Sequence, residues 1–133
     1  MLARTSNPSA PTLQSLPVDG GETLAEHVGD WVAERWPRPE VGLVVGATAL
    51  EEIRSLRSRL PGPAFLVPGL GAQGGDVEAA VRCCHGQLAP GLVNVSRGIA
   101  GPAAKAVDWQ AAARRAAEEW RARLAEAGAT LAP

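Results

Sequence analysis

Three short apolar runs, each followed by a turn and then by residues of helical periodicity, constrain this chain more than any other feature. The runs are Val41-Gly42-Leu43-Val44-Val45-Gly46, Ala64-Phe65-Leu66-Val67 and Leu92-Val93-Asn94-Val95. An apolar run without polar alternation fits a strand covered on both faces, as in a parallel sheet. Between the first two runs, Leu50, Ile53, Leu56 and Leu60 recur at helical spacing behind Thr48-Ala49-Leu50-Glu51, which has the form of a capping box. Pro61-Gly62-Pro63 ends that helix. A second helix is expected to begin near Asp76, after the glycine-rich stretch from Gly69 to Gly75.

Upstream, Leu24, Val28, Trp31 and Val32 form one helical stripe that Pro37-Arg38-Pro39 terminates. Downstream, Trp109, Ala112, Ala113, Ala116, Trp120 and Leu124 mark a long amphipathic helix capped by Asp108 and closed near Gly128. Because they recur on inward stripes, the tryptophans are expected in the core. Thr5 to Gly21, rich in Ser, Pro and Gly, reads as loop. The order is therefore loop, α, β, α, β, α, β, α, and such alternation implies parallel strands joined by crossover helices.

A complete barrel of eight β/α units takes about 250 residues, about 31 per unit. The 133 residues here would hold about four units. With 46% hydrophobic and 20% charged residues the chain should form one packed domain. Thirteen Lys plus Arg against 14 Asp plus Glu, a net charge of -1, leave no electrostatic footprint for nucleic acid. No apolar run approaches the roughly 18 residues that span a bilayer, and the segment from Met1 to Pro8 turns polar too soon for a signal peptide. The expectation is a cytoplasmic protein without membrane contact. Cys83, Cys84 and His85 are consecutive, so on a helix they project in different directions and converge poorly on one metal ion; buried thiols are expected instead.

Gly69-Leu70-Gly71-Ala72-Gln73-Gly74 fits G-x-G-x-x-G between a strand and a helix, the setting of a dinucleotide fingerprint. That fingerprint also needs an acid about 20 residues on, at the end of the next strand, to hold a ribose hydroxyl. Asn94, Val95 and Ser96 stand there. A small dinucleotide-binding oxidoreductase domain is thereby disfavoured. In either fold glycines let backbone N–H groups approach an anion, and the helix near Asp76 would add its N-terminal donors. In a β/α barrel the phosphate site lies between the loops after the last two strands. The next loop here carries Ser96-Arg97-Gly98, with a guanidinium suited to two phosphate oxygens.

Three stretches carry a family resemblance: Val44-Val45-Gly46-Ala47-Thr48, then Phe65 through Pro68-Gly69-Leu70-Gly71-Ala72-Gln73-Gly74-Gly75-Asp76, then Val93-Asn94-Val95-Ser96-Arg97-Gly98-Ile99. Together they resemble the C-terminal half of orotidine 5'-phosphate decarboxylase of the bacterial type 2 subfamily. Arg4-Thr5-Ser6-Asn7-Pro8 looks like that subfamily's loop after the fifth strand. The resemblance covers nearly the whole chain. It implies an α/β fold of the (β/α)8 TIM-barrel family, of which residues 1–133 would be the C-terminal half, and conversion of orotidine monophosphate to uridine monophosphate without cofactor or metal. On the same basis Gln73 and Arg97 would contact the substrate phosphate, with backbone donors from Gly74, Gly75 and Gly98, while Ser6 and Asn7 would lie near the pyrimidine.

The chemistry of the family so resembled needs an Asp-x-Lys-x-x-Asp motif, whose Lys protonates the carbanion left as carbon dioxide departs, together with a further Lys. The sole lysine here, Lys105, stands between Ala104 and Ala106 and matches no such motif. It is expected to be a solvated residue near the final helix, so no catalytic residue is assigned and the chain alone is expected to be inactive. The expectation is a decarboxylase fragment that needs its missing N-terminal half or dimerises; the alternative is a noncatalytic phosphate-binding half-barrel that self-associates.

Overall fold

Four short parallel strands lie side by side in chain order, and this order determines where every following turn ends up. A computed structural model describes residues 1–18, 20–38, 40–71 and 74–129. Its elements are β1 (Leu2–Arg4), α1 (Pro11–Gln14), α2 (Leu24–Arg35), β2 (Leu43–Val45), α3 (Leu50–Arg59), β3 (Phe65–Val67), α4 (Val77–Cys84), β4 (Leu92–Val93), α5 (Arg97–Ala103) and α6 (Trp109–Ala129). The sheet order is β1-β2-β3-β4, with every pair parallel. Sequential order with helical crossovers is the winding of a β/α barrel. A doubly wound nucleotide fold would reverse its strand order at a switch point, and no reversal occurs here, which removes the dinucleotide reading.

The core lies on one side of the sheet. Leu43, Val45, Phe65 and Val67 are buried against Val32 of α2, Ile53 and Leu56 of α3, and Ala80, Cys83 and Cys84 of α4. Strand neighbours alternate in direction, so the register row Leu2, Val44, Leu66, Leu92 points the other way. Leu2 is 52% exposed, Leu66 39% and Leu92 68%. The expected cover on both faces is thus found on one; the inward residues of these apolar runs line a face that no described element seals.

Capping chemistry departs from the sequence reading at one helix. Ala49, not Thr48, is the N-cap of α3, and it makes no side-chain cap; the Thr48 hydroxyl instead donates to the Ser6 carbonyl at 3.3 Å. The capping box belongs to α2. There the Glu26 N–H donates to Thr23 Oγ1 (3.2 Å) and the Thr23 N–H to Glu26 Oε2 (2.8 Å). Asp76 and Asp108 cap as expected, accepting from the N–H groups of Ala79 (2.8 Å) and Ala111 (3.0 Å).

Two tryptophans also leave the expected stripe. Trp31 precedes fully buried Val32 by one residue, about 100° around the helix, and is 48% exposed, its ring meeting Trp36 edge-on at 5.3 Å. Trp109 opens α6 and is 60% exposed. The region read as loop holds the short helix α1, begun by Pro11 at its first position. Cys83 and Cys84 are buried free thiols, held above the ordinary thiol pKa by burial. Among the described residues no His, Cys, Asp and Glu group could hold a metal, and no helix is long and apolar enough to cross a membrane.

At the end of the sheet where the strands begin, Arg57 ties the loops together. Its guanidinium donates to the carbonyls of Leu60 (2.7 Å), Cys83 (2.9 Å) and Pro63 (2.9 Å) and lies 3.7 Å from the centre of the Phe65 ring.

Thr23→Ala should lower stability by about 1 kcal/mol, read as a shift in the urea midpoint, whereas Thr48→Ala should move it less because no helix cap is lost. The Thr23 N–H bond holds the Glu26 carboxyl below its ordinary value. A lowered folded-state pKa stabilises above the ordinary carboxylate range and loses that contribution as pH falls through the folded value, so the wild-type urea midpoint should fall in acid and Glu26→Gln should flatten that fall.

Candidate functional site

Since the strands are parallel and adjacent, the turns that follow them gather at one edge of the sheet, and main-chain bonds continue the pairing into those turns. The Gly46 N–H donates to the Arg4 carbonyl (2.8 Å), the Ala47 N–H to Pro68 (2.8 Å) and the Asn94 N–H to Val67 (3.0 Å). Side chains then have little room. A Cβ placed on Gly46 would lie 2.7 Å from Ser6 N, and one on Gly69 would lie 3.0 Å from Ser6 Cβ. Ser6 therefore sits wedged between the turns after β2 and β3, half-buried, while Asn7 is exposed and donates through its amide to Ser9 Oγ at 2.7 Å.

Sequence reasoning missed what holds this first loop. Arg4 is buried, and its guanidinium donates to Glu52 Oε1 of α3 (3.1 Å) and to the Thr5 carbonyl (2.7 Å). The Ser15 hydroxyl donates to the same carboxylate oxygen (3.1 Å), and Gln14 Oε1 accepts from the Thr5 N–H (2.9 Å). A charge-assisted bond removed from water is worth more than an exposed pair. No local pattern announces a contact between residues 48 positions apart.

The glycine-rich turn folds back on itself. The Gly74 N–H donates to the Gly71 carbonyl (2.9 Å) and the Gly75 N–H to the Gly69 carbonyl (3.2 Å). Both donors, expected to face a phosphate, are thus engaged inside their own turn, where a tight loop satisfies its amides. Asp76 likewise spends one amide of the α4 N-terminus on its own carboxylate. Gly69 and Gly71 have φ of 104° and 77°, a region costly for residues with a Cβ. Gln73 lies outside the described residues.

The turn after β4 lies against this loop. A Cβ on Gly71 would come 3.3 Å from Gly98 Cα and 3.0 Å from Cζ2 of Trp120. Arg97, the first residue of α5, is exposed, and among the described residues its guanidinium has no partner. The structure thus brings Ser6, Gly74, Gly75, Arg97 and Gly98 to one edge of the sheet. Lys105 is exposed in the turn between α5 and α6.

No family model matches the chain. Orotidine 5'-phosphate decarboxylase from Halobacterium salinarum is 45% identical over 127 residues, which are 93% of this chain and 47% of that protein. The chain is homologous to part of orotidine 5'-phosphate decarboxylase. It spans about half the length of the curated relatives it matches. Solved structures agree: Leishmania donovani OMP decarboxylase superposes with a TM-score of 0.66 at 36% identity, covering 92% of this chain and 46% of that one. Leishmania donovani UMP synthase gives a TM-score of 0.67 at 40% identity, over 92% of this chain and 27% of that one. The four-stranded parallel sheet is accordingly a portion of the decarboxylase barrel, with its gathered turns at the edge where barrel enzymes place their active sites.

Gly71→Ala should cost about 1 to 3 kcal/mol through its left-handed backbone. Gly101→Ala, where a new Cβ meets nothing within 4 Å, should leave the urea midpoint unchanged or raised. Equal losses at the two positions would contradict the packing described.

Proposed function

We propose that this chain is the phosphate-gripping part of an orotidine 5'-phosphate decarboxylase, holding the phosphate of orotidine monophosphate or uridine monophosphate without supplying the proton donor. One observation carries the reading: the glycine turn after β3 and the Ser96-Arg97-Gly98 turn touch through Gly71 and Gly98, beside a guanidinium that has no partner among the described residues. Arg97 grips phosphate oxygens in a charge-assisted fork. The Gly98 N–H and the Gln73 side chain assist it. Gly74 and Gly75 shape the turn, and their amides reach the ligand only by exchanging the bonds they now make. Ser6 faces the pyrimidine from its wedge, with Asn7 beside it.

Phosphate contacts remote from the reacting ring supply binding energy that the chemistry elsewhere draws on. The Lys and Asp array that protonates the carbanion belongs to other residues of the barrel, so the isolated chain binds nucleotide and turns over nothing. The reaction needs no organic cofactor or metal, and the working enzyme is cytoplasmic. The exposed row of Leu2, Leu66 and Leu92 supports closure by a further set of strands, the N-terminal half of the same enzyme.

A second reading has one observation in its favour. With all strands parallel and β1 and β4 at the two edges, a twofold axis along the strands sets β4 against a partner's β1 and closes eight strands from two copies. It predicts a cooperative homodimer by sedimentation.

Titrating the purified chain with uridine monophosphate in a calorimeter should give saturable heat, and Arg97→Ala should weaken binding about ten- to a hundredfold, the worth of one charged hydrogen bond. A decarboxylation assay should show no turnover. Absence of nucleotide binding, or turnover that Arg97→Ala abolishes, would overturn the reading.

A further inference from the structure

The two turns of the grip share a support outside their own loops. Helix α6 packs along α4 and α5, and midway along it Trp120 reaches beneath both turns, half-buried at the rim of the core. A Cβ on Gly71 would lie 3.0 Å from Cζ2, on the benzo edge of the indole, and one on Gly98 would lie 2.7 Å from Nε1 and 3.0 Å from Cε2, on the pyrrole edge. Two glycines from different loops thus rest on neighbouring atoms along one edge of a single ring. The guanidinium of Arg123, one turn further along the helix, stacks over that ring 4.3 Å from its centre, an arrangement that favours one ring orientation.

We propose that Trp120 is a positioning residue for the phosphate grip: its indole is the spacer that sets how closely the Gly71 and Gly98 turns approach. This rests on the reading that these turns bind a nucleotide phosphate. A phosphate has fixed oxygen spacing, so donors on two loops serve it only if the gap between the loops is also fixed. Contact between Gly71 and Gly98 limits how closely the turns approach but does not fix how far they tilt or separate, because each is anchored to its own strand and helix. A rigid bicyclic ring wedged under both does. The same geometry bears on why residue 98 has no side chain: its Cβ would press on the indole N–H at 2.7 Å and on Val95 Cγ1 at 2.9 Å. Gly98 and Trp120 are therefore complementary in volume, and enlarging one calls for trimming the other.

The test measures uridine monophosphate affinity by calorimetry and urea midpoint side by side for the wild-type chain, Trp120→Leu, Trp120→Phe, Gly98→Ala and the double variant Gly98→Ala/Trp120→Leu. Trp120→Leu should remain cooperatively folded and bind about ten- to a hundredfold more weakly, Trp120→Phe should fall between it and wild type, and the double variant should bind more tightly than Gly98→Ala alone. If Trp120→Leu does not fold, the Trp120→Phe loss and the rescue in Gly98→Ala/Trp120→Phe decide. Unchanged affinity in a folded Trp120 variant, or a double variant no better than Gly98→Ala, overturns the spacer while leaving the nucleotide reading intact. A wild-type chain that does not bind the nucleotide overturns both.

Discussion

Backbone-to-backbone contact between successive turns is the constraint on which the rest of this structure depends. Parallel strands in chain order bring four turns to one edge, and the turns nest only because glycine stands at each crossing: Gly46 and Gly69 against Ser6, Gly71 against Gly98. Any side chain at these crossings would separate the loops by the thickness of a methyl group or more. Arg97 stands at the junction of the last two turns, exposed and, among the described residues, without a partner for its guanidinium.

The two ends of the sheet solve different problems. Where the strands begin, Arg57 donates to four carbonyls and covers Phe65, so its charge fastens segments that would otherwise leave carbonyls unsatisfied. Where the strands end, Arg4 is fastened in the same way to Glu52 and the Thr5 carbonyl, but Arg97 is not. In barrel enzymes the first end carries stability and the second carries chemistry. Arg57 at the first end has partners for most of its N–H groups, whereas the Arg97 guanidinium at the second has none among the described residues.

Much of the architecture was legible in the sequence. Apolar runs located β2, β3 and β4, helical spacing located Ile53, Leu56 and Leu60 in the core, and Asp76 and Asp108 marked helix starts. What failed did so for physical reasons. Thr48 has the right neighbours for a cap, but the nearby Ser6 carbonyl takes its hydroxyl, a long-range contact that no local motif encodes. Trp31 shares a stripe with Val28 and Val32 in projection, yet lies a sixth of a turn or more past the seam the core can cover. The apolar runs promised two buried faces because composition records what a strand is suited to, not which partner is beside it. At the candidate site, the sequence marks the glycines and Arg97 that the sheet gathers at one edge, whereas the Arg4–Glu52–Ser15 brace and the ring under Gly71 and Gly98 come from residues far apart in the chain.

The position of Trp120 in the last helix affects how the protein is made. A ribosome releases β3, β4 and both of their turns well before α6 emerges, so during synthesis the loops exist for a time with nothing beneath them. The indole arrives late. Until it docks, the Gly71 and Gly98 turns lack the ring on which they rest in the folded chain.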